Sequence, residues 1–265
     1  MSADGAGRSR LRADLELLGL RTGSTVLVHA SMRRVRPDAG GAATVVAALL
    51  DVLGESGTLV VPTQTAWNST TSPHFRAATE GMTGAQFAAY LSDLPAFDPR
   101  SSPSSGMGAL AEYVRTLDGA VRSAHPQTSF AAAGRLAAEL MARHDLDCLL
   151  GERSPLAALY RVDARVLLLG TGFDTATIFH LGEWRASTRR RRYRCKTATA
   201  PDATGWVEFE DLPYDDADFT RLGARFEQET GLVARGAVGS ADALLFPARA
   251  AADFAQRWVR TGRGG

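Results

Sequence analysis

The residue types able to do chemistry gather around five histidines, at positions 29, 74, 125, 144 and 180 of a 265-residue chain. His180 lies in Asp174-Thr-Ala-Thr177-Ile-Phe-His180-Leu-Gly-Glu183, directly after a Leu-rich run and a Gly-containing turn. Thr177, His180 and Glu183 recur every three residues and share one face if the segment is helical. A carboxylate beside a neutral imidazole orients its tautomer and raises its basicity, and an imidazole titrates near neutrality. Asp174, Thr177, His180 and Glu183 are therefore the candidate catalytic residues. The alternative for the same spacing is a hydrogen-bonded core histidine in the first turns of a helix. His29 closes an apolar run beside Ala30-Ser31, where a side chain can enter the crevice at the carboxyl edge of an open sheet. His125 stands in Arg122-Ser-Ala-His-Pro126.

Elements able to position these groups can be read from periodicity. Thr25–His29, Thr58–Pro62 and Arg165–Gly170 are short apolar runs next to glycines, as in central strands covered on both faces. Ala42–Leu53 has helical spacing and a Gly54 stop, completing a βαβ unit with a right-handed crossover. Further helices are expected at Thr83–Ser92, Gly108–Leu117, Ala132–Arg143, Ser154–Arg161, Thr175–Arg185, Asp216–Thr230 and Pro247–Arg260. Ser154-Pro155 supplies an N-cap followed by proline at the first helical position. Tyr193–Thr199 and Trp206–Phe209 alternate like an antiparallel pair turned at Asp202–Gly205. Trp67–Pro73 and Pro95–Gly106 are turn-rich, and loops of this length inside a domain are usually functional. The expected architecture is one α/β domain over residues 11–265, preceded by a disordered, Gly-rich tail at 1–10.

Composition narrows the function classes. Hydrophobic residues make up 45% and charged residues 22%, with a formal net charge of +1. That profile suits a soluble globular protein rather than a bulk polyanion binder. Cys148 and Cys195 lack the spacing of a zinc site, so no metal is expected. No signal-like or membrane-length apolar run is evident, which makes a cytoplasmic protein without membrane or nucleic-acid partners the expectation. Gly170-Thr-Gly172-Phe-Asp-Thr175 starts like a dinucleotide fingerprint, but Thr175 replaces the third glycine and no acid follows at the required distance. Walker A and GxSxG sequences are missing. Ser31 beside His29 does not make a nucleophilic triad. The run Arg189–Arg192 reads either as a solvated helix end leading into a strand or as a contact for an anionic ligand.

Five blocks carry a resemblance. They are Val28-His29-Ala-Ser31-Met-Arg33, Gly57-Thr58-Leu-Val-Val-Pro62, Arg122-Ser-Ala-His125 through Gly134, Ser154-Pro155 through Tyr160, and Leu167 through Glu183. In content and order the chain resembles the aminoglycoside 3-N-acetyltransferases from Leu11 to about Trp258. The resemblance implies a layered α/β/α fold with a mixed central sheet, distinct from the GNAT acetyltransferases. It implies acetyl-CoA as acyl donor and marks His180 as general base, with Glu183 or Asp174 as its orienting acid. By block, Ser31, Met32, Arg33 and Val35 match the segment that contacts CoA, while His29, Ser123, His125 and Ser129 match positions lining the same cleft.

Transfer of an acyl group from a thioester to an amine needs an unprotonated nitrogen, whereas alkyl amines are mostly charged at neutral pH. A histidine base takes that proton, and backbone N–H groups or the hydroxyl of Ser31 or Thr177 are candidate donors to the oxyanion. A polycationic aminoglycoside also requires carboxylates, for which Glu80, Asp98, Asp174, Glu183 and the cluster Tyr214-Asp215-Asp216 are candidates. Asp215-Asp216 reads rather as the cap and first turn of a helix. Another amine or amino sugar of antibiotic biosynthesis is the alternative acceptor. Charged faces on the late helices leave room for a homodimer.

Overall fold

The three apolar runs become neighbouring strands in a computed structural model, which describes residues 3–36 and 41–262. The first half of the chain runs α1 (Ala3–Leu18), β1 (Thr25–Ala30), α2 (Met32–Val35), α3 (Gly41–Leu53), β2 (Thr58–Pro62), α4 (Pro73–Thr79), α5 (Gly84–Asp93), α6 (Gly108–Arg115), β3 (Val121–Arg122) and β4 (Phe130–Gly134). It continues through α7 (Ala137–Met141), α8 (Pro155–Arg161), β5 (Arg165–Leu169), α9 (Phe179–Ala186), β6 (Arg191–Lys196) and β7 (Trp206–Asp211). The last elements are α10 (Phe219–Thr230), β8 (Ala234–Val238), β9 (Ala241–Pro247) and α11 (Ala248–Arg260).

Among the described residues, seven strands form one mixed sheet in the order β3-β4-β2-β1-β5-β9-β8. β1 is parallel to β2 and β5, and the outer pairs are antiparallel. The pleat divides the apolar runs between two cores. Val26, Val28, Leu167 and Leu169 point to a layer that includes α1, α3 and α6. Leu27, Val166 and Leu168 point to the opposite layer, which holds α7 through α11. Strands buried on both faces must be apolar throughout, and this is why the runs read as continuous rather than alternating. The outcome is the expected layered α/β/α arrangement. β6 and β7 form a separate ladder, with Tyr193 opposite Phe209.

Several segments depart from expectation. Ala132–Arg143 is not one helix: Phe130–Gly134 is a strand on β2, and only Ala137–Met141 is helical. Alanine favours helix in isolation, but here the four residues Phe130 to Ala133 are buried between the two layers, where small side chains and ladder hydrogen bonds decide. The disordered tail expected at 1–10 is instead helical from Ala3, residues 1 and 2 lying outside the described residues. Leu11, Leu15 and Leu18 of α1 bury one stripe, and Arg8 pairs with Asp51 of α3. The segment before Pro247 was not expected to form strands, yet β8 and β9 complete the sheet on the β5 side. The helix expected from Thr175 starts only at Phe179, after a 3-10 turn at Phe173–Thr175.

α9 carries the proposed acid–base residues and lies hard against α11. A Cβ on Gly182 would fall 2.3 Å from the Ala252 carbonyl oxygen and 2.5 Å from the Gln256 nitrogen. Both neighbours are helix backbone and cannot rotate aside. Gly182→Ala is therefore expected to destabilise the protein by about 1–3 kcal/mol through overpacking, measured as a lower denaturant midpoint. An unchanged midpoint would show that the two helices separate freely.

Candidate active site

The carboxyl ends of β1, β2 and β5 open into a cavity of about 700 Å³, within the range of small-molecule sites. Val28, His29 and Ala30 line it from β1, Pro62 from β2 and Gln64 just beyond it, and Thr171 and Asp174 from the turn after β5. Gly170 makes that turn with φ of 66°, and Arg34 donates to its carbonyl oxygen at 3.1 Å. Met107 and Leu110, Ser72 and Arg76, Gln127 and Thr128, Arg191 and Tyr193 close the sides. Tyr214, Asp216 and Phe219 close the end that holds His180.

His180 and Glu183 meet as their spacing predicts. His180 Nδ1 lies 2.9 Å from Glu183 Oε2, so the imidazole donates through Nδ1 and presents Nε2 as an acceptor. Glu183 is buried, and its Oε1 accepts the backbone N–H of Asp215 at 3.1 Å. Tyr214 stands edge-on to the imidazole at 5.1 Å between ring centroids, and Phe219 lies at 4.7 Å. Burial pushes the Tyr214 phenol well above its usual pKa, keeping it a neutral donor to Asp211 Oδ2 at 3.2 Å. Asp211, also buried, accepts from the Leu149 N–H at 2.7 Å and from Trp184 Nε1 at 3.1 Å. The imidazole is thus held by a carboxylate behind it and rings on its flanks. That arrangement fixes the ring's orientation at the cavity edge.

Residues 27–260 match the family model for aminoglycoside 3-N-acetyltransferase. This chain belongs to that family. It is 37% identical to aminoglycoside N(3)-acetyltransferase IX of Micromonospora chalcea, over 95% of this chain and 92% of the relative. The crystal structure of the YokD protein of Bacillus subtilis superposes with a TM-score of 0.89 at 33% identity, covering 96% of this chain and 93% of that one. A structure of AAC-IIIb in a binary complex with CoASH superposes with a TM-score of 0.80 at 30% identity, covering 96% of each chain.

Within this acetyltransferase family member the cavity brings together His29, Asp174, Thr177 and His180, with Glu183 one layer behind. Glu80 and Asp98 do not reach it. Asp216 does; it is not a helix cap, because α10 begins at Phe219 with Asp218 in the cap position. Ser31, Met32 and Arg33 follow β1 at its carboxyl end but lie outside the cavity wall, Ser31 donating its N–H to Leu169. Val35 is fully buried in the α1/α3 core, so its side chain is unavailable to CoA. Ser123, His125 and Ser129 are also fully buried and do not line the cavity. They hold the loop that places Gln127 and Thr128 there.

The internal bonds of that loop explain why these side chains turn inward. His125 donates through Nε2 to the Leu146 carbonyl at 3.1 Å and accepts the Gln127 and Thr128 N–H groups on Nδ1. Ser123 bridges the Phe130 N–H to His144 Nδ1, and Ser129 donates to the Thr63 carbonyl at 2.9 Å. Gln127, Thr128, Phe219, Met107, Thr171, Arg76 and Tyr193 were not singled out by sequence. They come from separate helices, strands and loops, and the resemblance blocks around His125 and from Leu167 to Glu183 contain only Gln127, Thr128 and Thr171 of them.

Three histidines are held neutral by burial. Desolvation lowers His29 and His125 to about 4, and His144 falls well below its usual value for the same reason. The unfolded chain takes up these protons near pH 6.5, whereas the folded chain resists until far lower pH. Their contribution is thus complete above about pH 6.5 and is lost as pH falls towards 4, by about 3 kcal/mol for each of His29 and His125. Melting temperatures measured from pH 7.5 to 4.5 are expected to drop steeply below pH 6. A flat profile across that window would contradict the buried neutral network.

Proposed function

We propose that this chain transfers the acetyl group of acetyl-CoA directly to the 3-amino group of an aminoglycoside, inactivating the antibiotic. The observation that carries this reading is the His180–Glu183 pair on the wall of a cavity at the carboxyl edge of the sheet. The aminoglycoside N(3)-acetyltransferase of Micromonospora chalcea and the CoASH bound to AAC-IIIb support the acceptor and the donor. Glu183 holds the Nδ1 proton, leaving His180 Nε2 to accept a proton as the amine nitrogen attacks the thioester carbon. The same proton then passes to the departing CoA sulfur as the C–S bond breaks. Attack is direct, with no covalent enzyme intermediate, so His180 is both base and acid in turn. Asp174 and Asp216 flank this end of the cavity and would pair with ammonium groups of the acceptor. The donor enters past the carboxyl end of β1, where exposed Arg33 is available to its phosphates.

One observation favours a second reading of the acceptor. Arg76 and Arg191 stand on the same cavity wall as the two carboxylates, so the lining is not uniformly acidic. An amino sugar or other amine bearing fewer positive charges suits such a wall better than a densely cationic antibiotic.

Thiol release from acetyl-CoA, followed across several aminoglycosides and a neutral amine, distinguishes these acceptors. His180→Ala is expected to lower kcat by about 10²–10⁴-fold, with CoA binding retained. Glu183→Gln should cost about 10–10²-fold by releasing the tautomer and ring orientation. Full turnover in His180→Ala would remove the base from the mechanism. Release with the neutral amine alone would keep the chemistry and move the acceptor to the second reading.

A further inference from the structure

The tetrahedral intermediate of amide formation carries a negative oxygen, and donors aimed at that oxygen are commonly the largest electrostatic contribution to such catalysis. Thr177, one of the two hydroxyls considered from sequence, lies 3.5 Å from the Thr175 carbonyl oxygen, and Ser31 is off the cavity wall. His29 is differently placed. It is 7% exposed at the carboxyl end of β1, lines the cavity, and its Nε2 has no hydrogen-bond partner in the protein. A buried polar atom is rarely left unmatched, so an orphan on a cavity wall marks where a ligand group is received.

Among the described residues only one other buried side-chain polar atom is in the same condition, Gln127 Oε1, and it belongs to the same wall. Gln127 is oriented by donating its amide to the carbonyls of Asn68 and Arg194, at 3.3 and 3.1 Å. Both unmatched atoms of the described structure therefore belong to residues that line the cavity. That coincidence is independent of the His180–Glu183 geometry.

We infer that His29 is a second catalytic imidazole of the acyl transfer, donating its Nε2–H to the thioester carbonyl oxygen and to the oxyanion that forms from it. The inference rests on the acyl-transfer reading given above. As the amine lone pair forms the N–C bond, the carbonyl π electrons move to oxygen, where the His29 N–H receives them. The amine proton goes to His180. When the C–S bond breaks, the oxyanion restores the C=O bond, the electron pair leaves on sulfur, and His180 returns the proton to give CoASH and an amide.

The two imidazoles divide the work because their surroundings differ. His180 has a carboxylate behind it, and the positive charge it acquires is matched there. His29 has no such partner, is shielded from solvent, and feels the nearby charge of His180 as a further opposition to its own protonation. It therefore stays neutral while His180 cycles. A neutral imidazole is a donor that does not compete for the amine proton, a use of histidine known from other enzymes.

The test compares His29→Gln, which places an amide donor near the former Nε2, with His29→Asn, which places it nearer Nδ1, and with His29→Phe. Steady-state kcat, KM for both substrates, the Kd for CoA and a thermal melt are measured for each. His29→Phe and His29→Asn are expected to lose about 10²–10³-fold in kcat with the CoA Kd little changed. His29→Gln should recover at least about tenfold over His29→Asn. If His29→Phe does not fold, the two amide variants decide the matter between them. Equal activity of the Gln and Asn variants, or kcat near wild type in both, overturns the donor role. A CoA Kd weakened in step with the loss of kcat/KM makes His29 a binding residue and overturns it too. Absence of thiol release by the wild-type protein with every amine would instead overturn the acyl-transfer reading on which the role depends.

Discussion

The site is organised by the cost of burying a carboxylate. Glu183 is almost wholly removed from solvent, and an ionised group in that position is tolerated only when its oxygens are matched by donors. One oxygen receives His180 Nδ1 and the other the N–H of Asp215. Those donors belong to α9 and to the loop before α10, so satisfying the carboxylate fixes both segments at once. Asp211 repeats the device one step away, drawing together the Leu149 N–H, the Trp184 indole and the Tyr214 hydroxyl. The imidazole orientation is then a consequence of hydrogen-bond satisfaction throughout this corner of the fold. It does not depend on the His–Glu contact alone.

The layered architecture explains why the cavity is where it is. Both faces of the central strands are covered by helices, leaving the strand ends as the accessible parts of the sheet. β2, β1 and β5 run parallel, so their carboxyl ends and the loops that follow them gather on one side. Residues of β1 and β2 and of the turn after β5 supply the floor. The walls come from α4, α6, β6 and loops, which between them carry both carboxylates and guanidiniums. In the proposed reaction the floor and α9 would carry the chemistry, and the walls would select the acceptor.

Much of the floor was legible in the sequence, and most of the walls were not. Continuous apolar runs announced β1, β2 and β5, and the three-residue spacing of Thr177, His180 and Glu183 announced the dyad. Phe130-Ala-Ala-Ala-Gly134 misled because alanine's local preference is helical, while burial between two layers imposes a strand. Leu11, Leu15 and Leu18 already carried the stripe of α1, which the polar, Gly-rich first residues obscured. Ser123, His125 and Ser129 were assigned by block matching to the cleft. Matching reports that a segment lies near a cleft and not which of its side chains face it. Gln127 and Thr128 face it because His125 accepts their two N–H groups and curls the loop around itself. No period in the sequence encodes that curl.

Hydrogen-bond satisfaction also sorts the histidines by role. His125 is buried and His144 half-buried, each with both ring nitrogens engaged, so neither has a lone pair or proton to offer a substrate. Losing either would leave partners stranded in the interior, which is a stability effect. His180 lines the cavity with Nδ1 engaged by Glu183, which suits the proposed proton carrier. His29 has its Nε2 buried without a protein partner at the cavity wall. All four rings are shielded from solvent to a large degree, so burial alone does not distinguish them. What distinguishes them is how many of their polar atoms the fold itself uses, and the proposed chemistry is assigned to the rings with atoms left over.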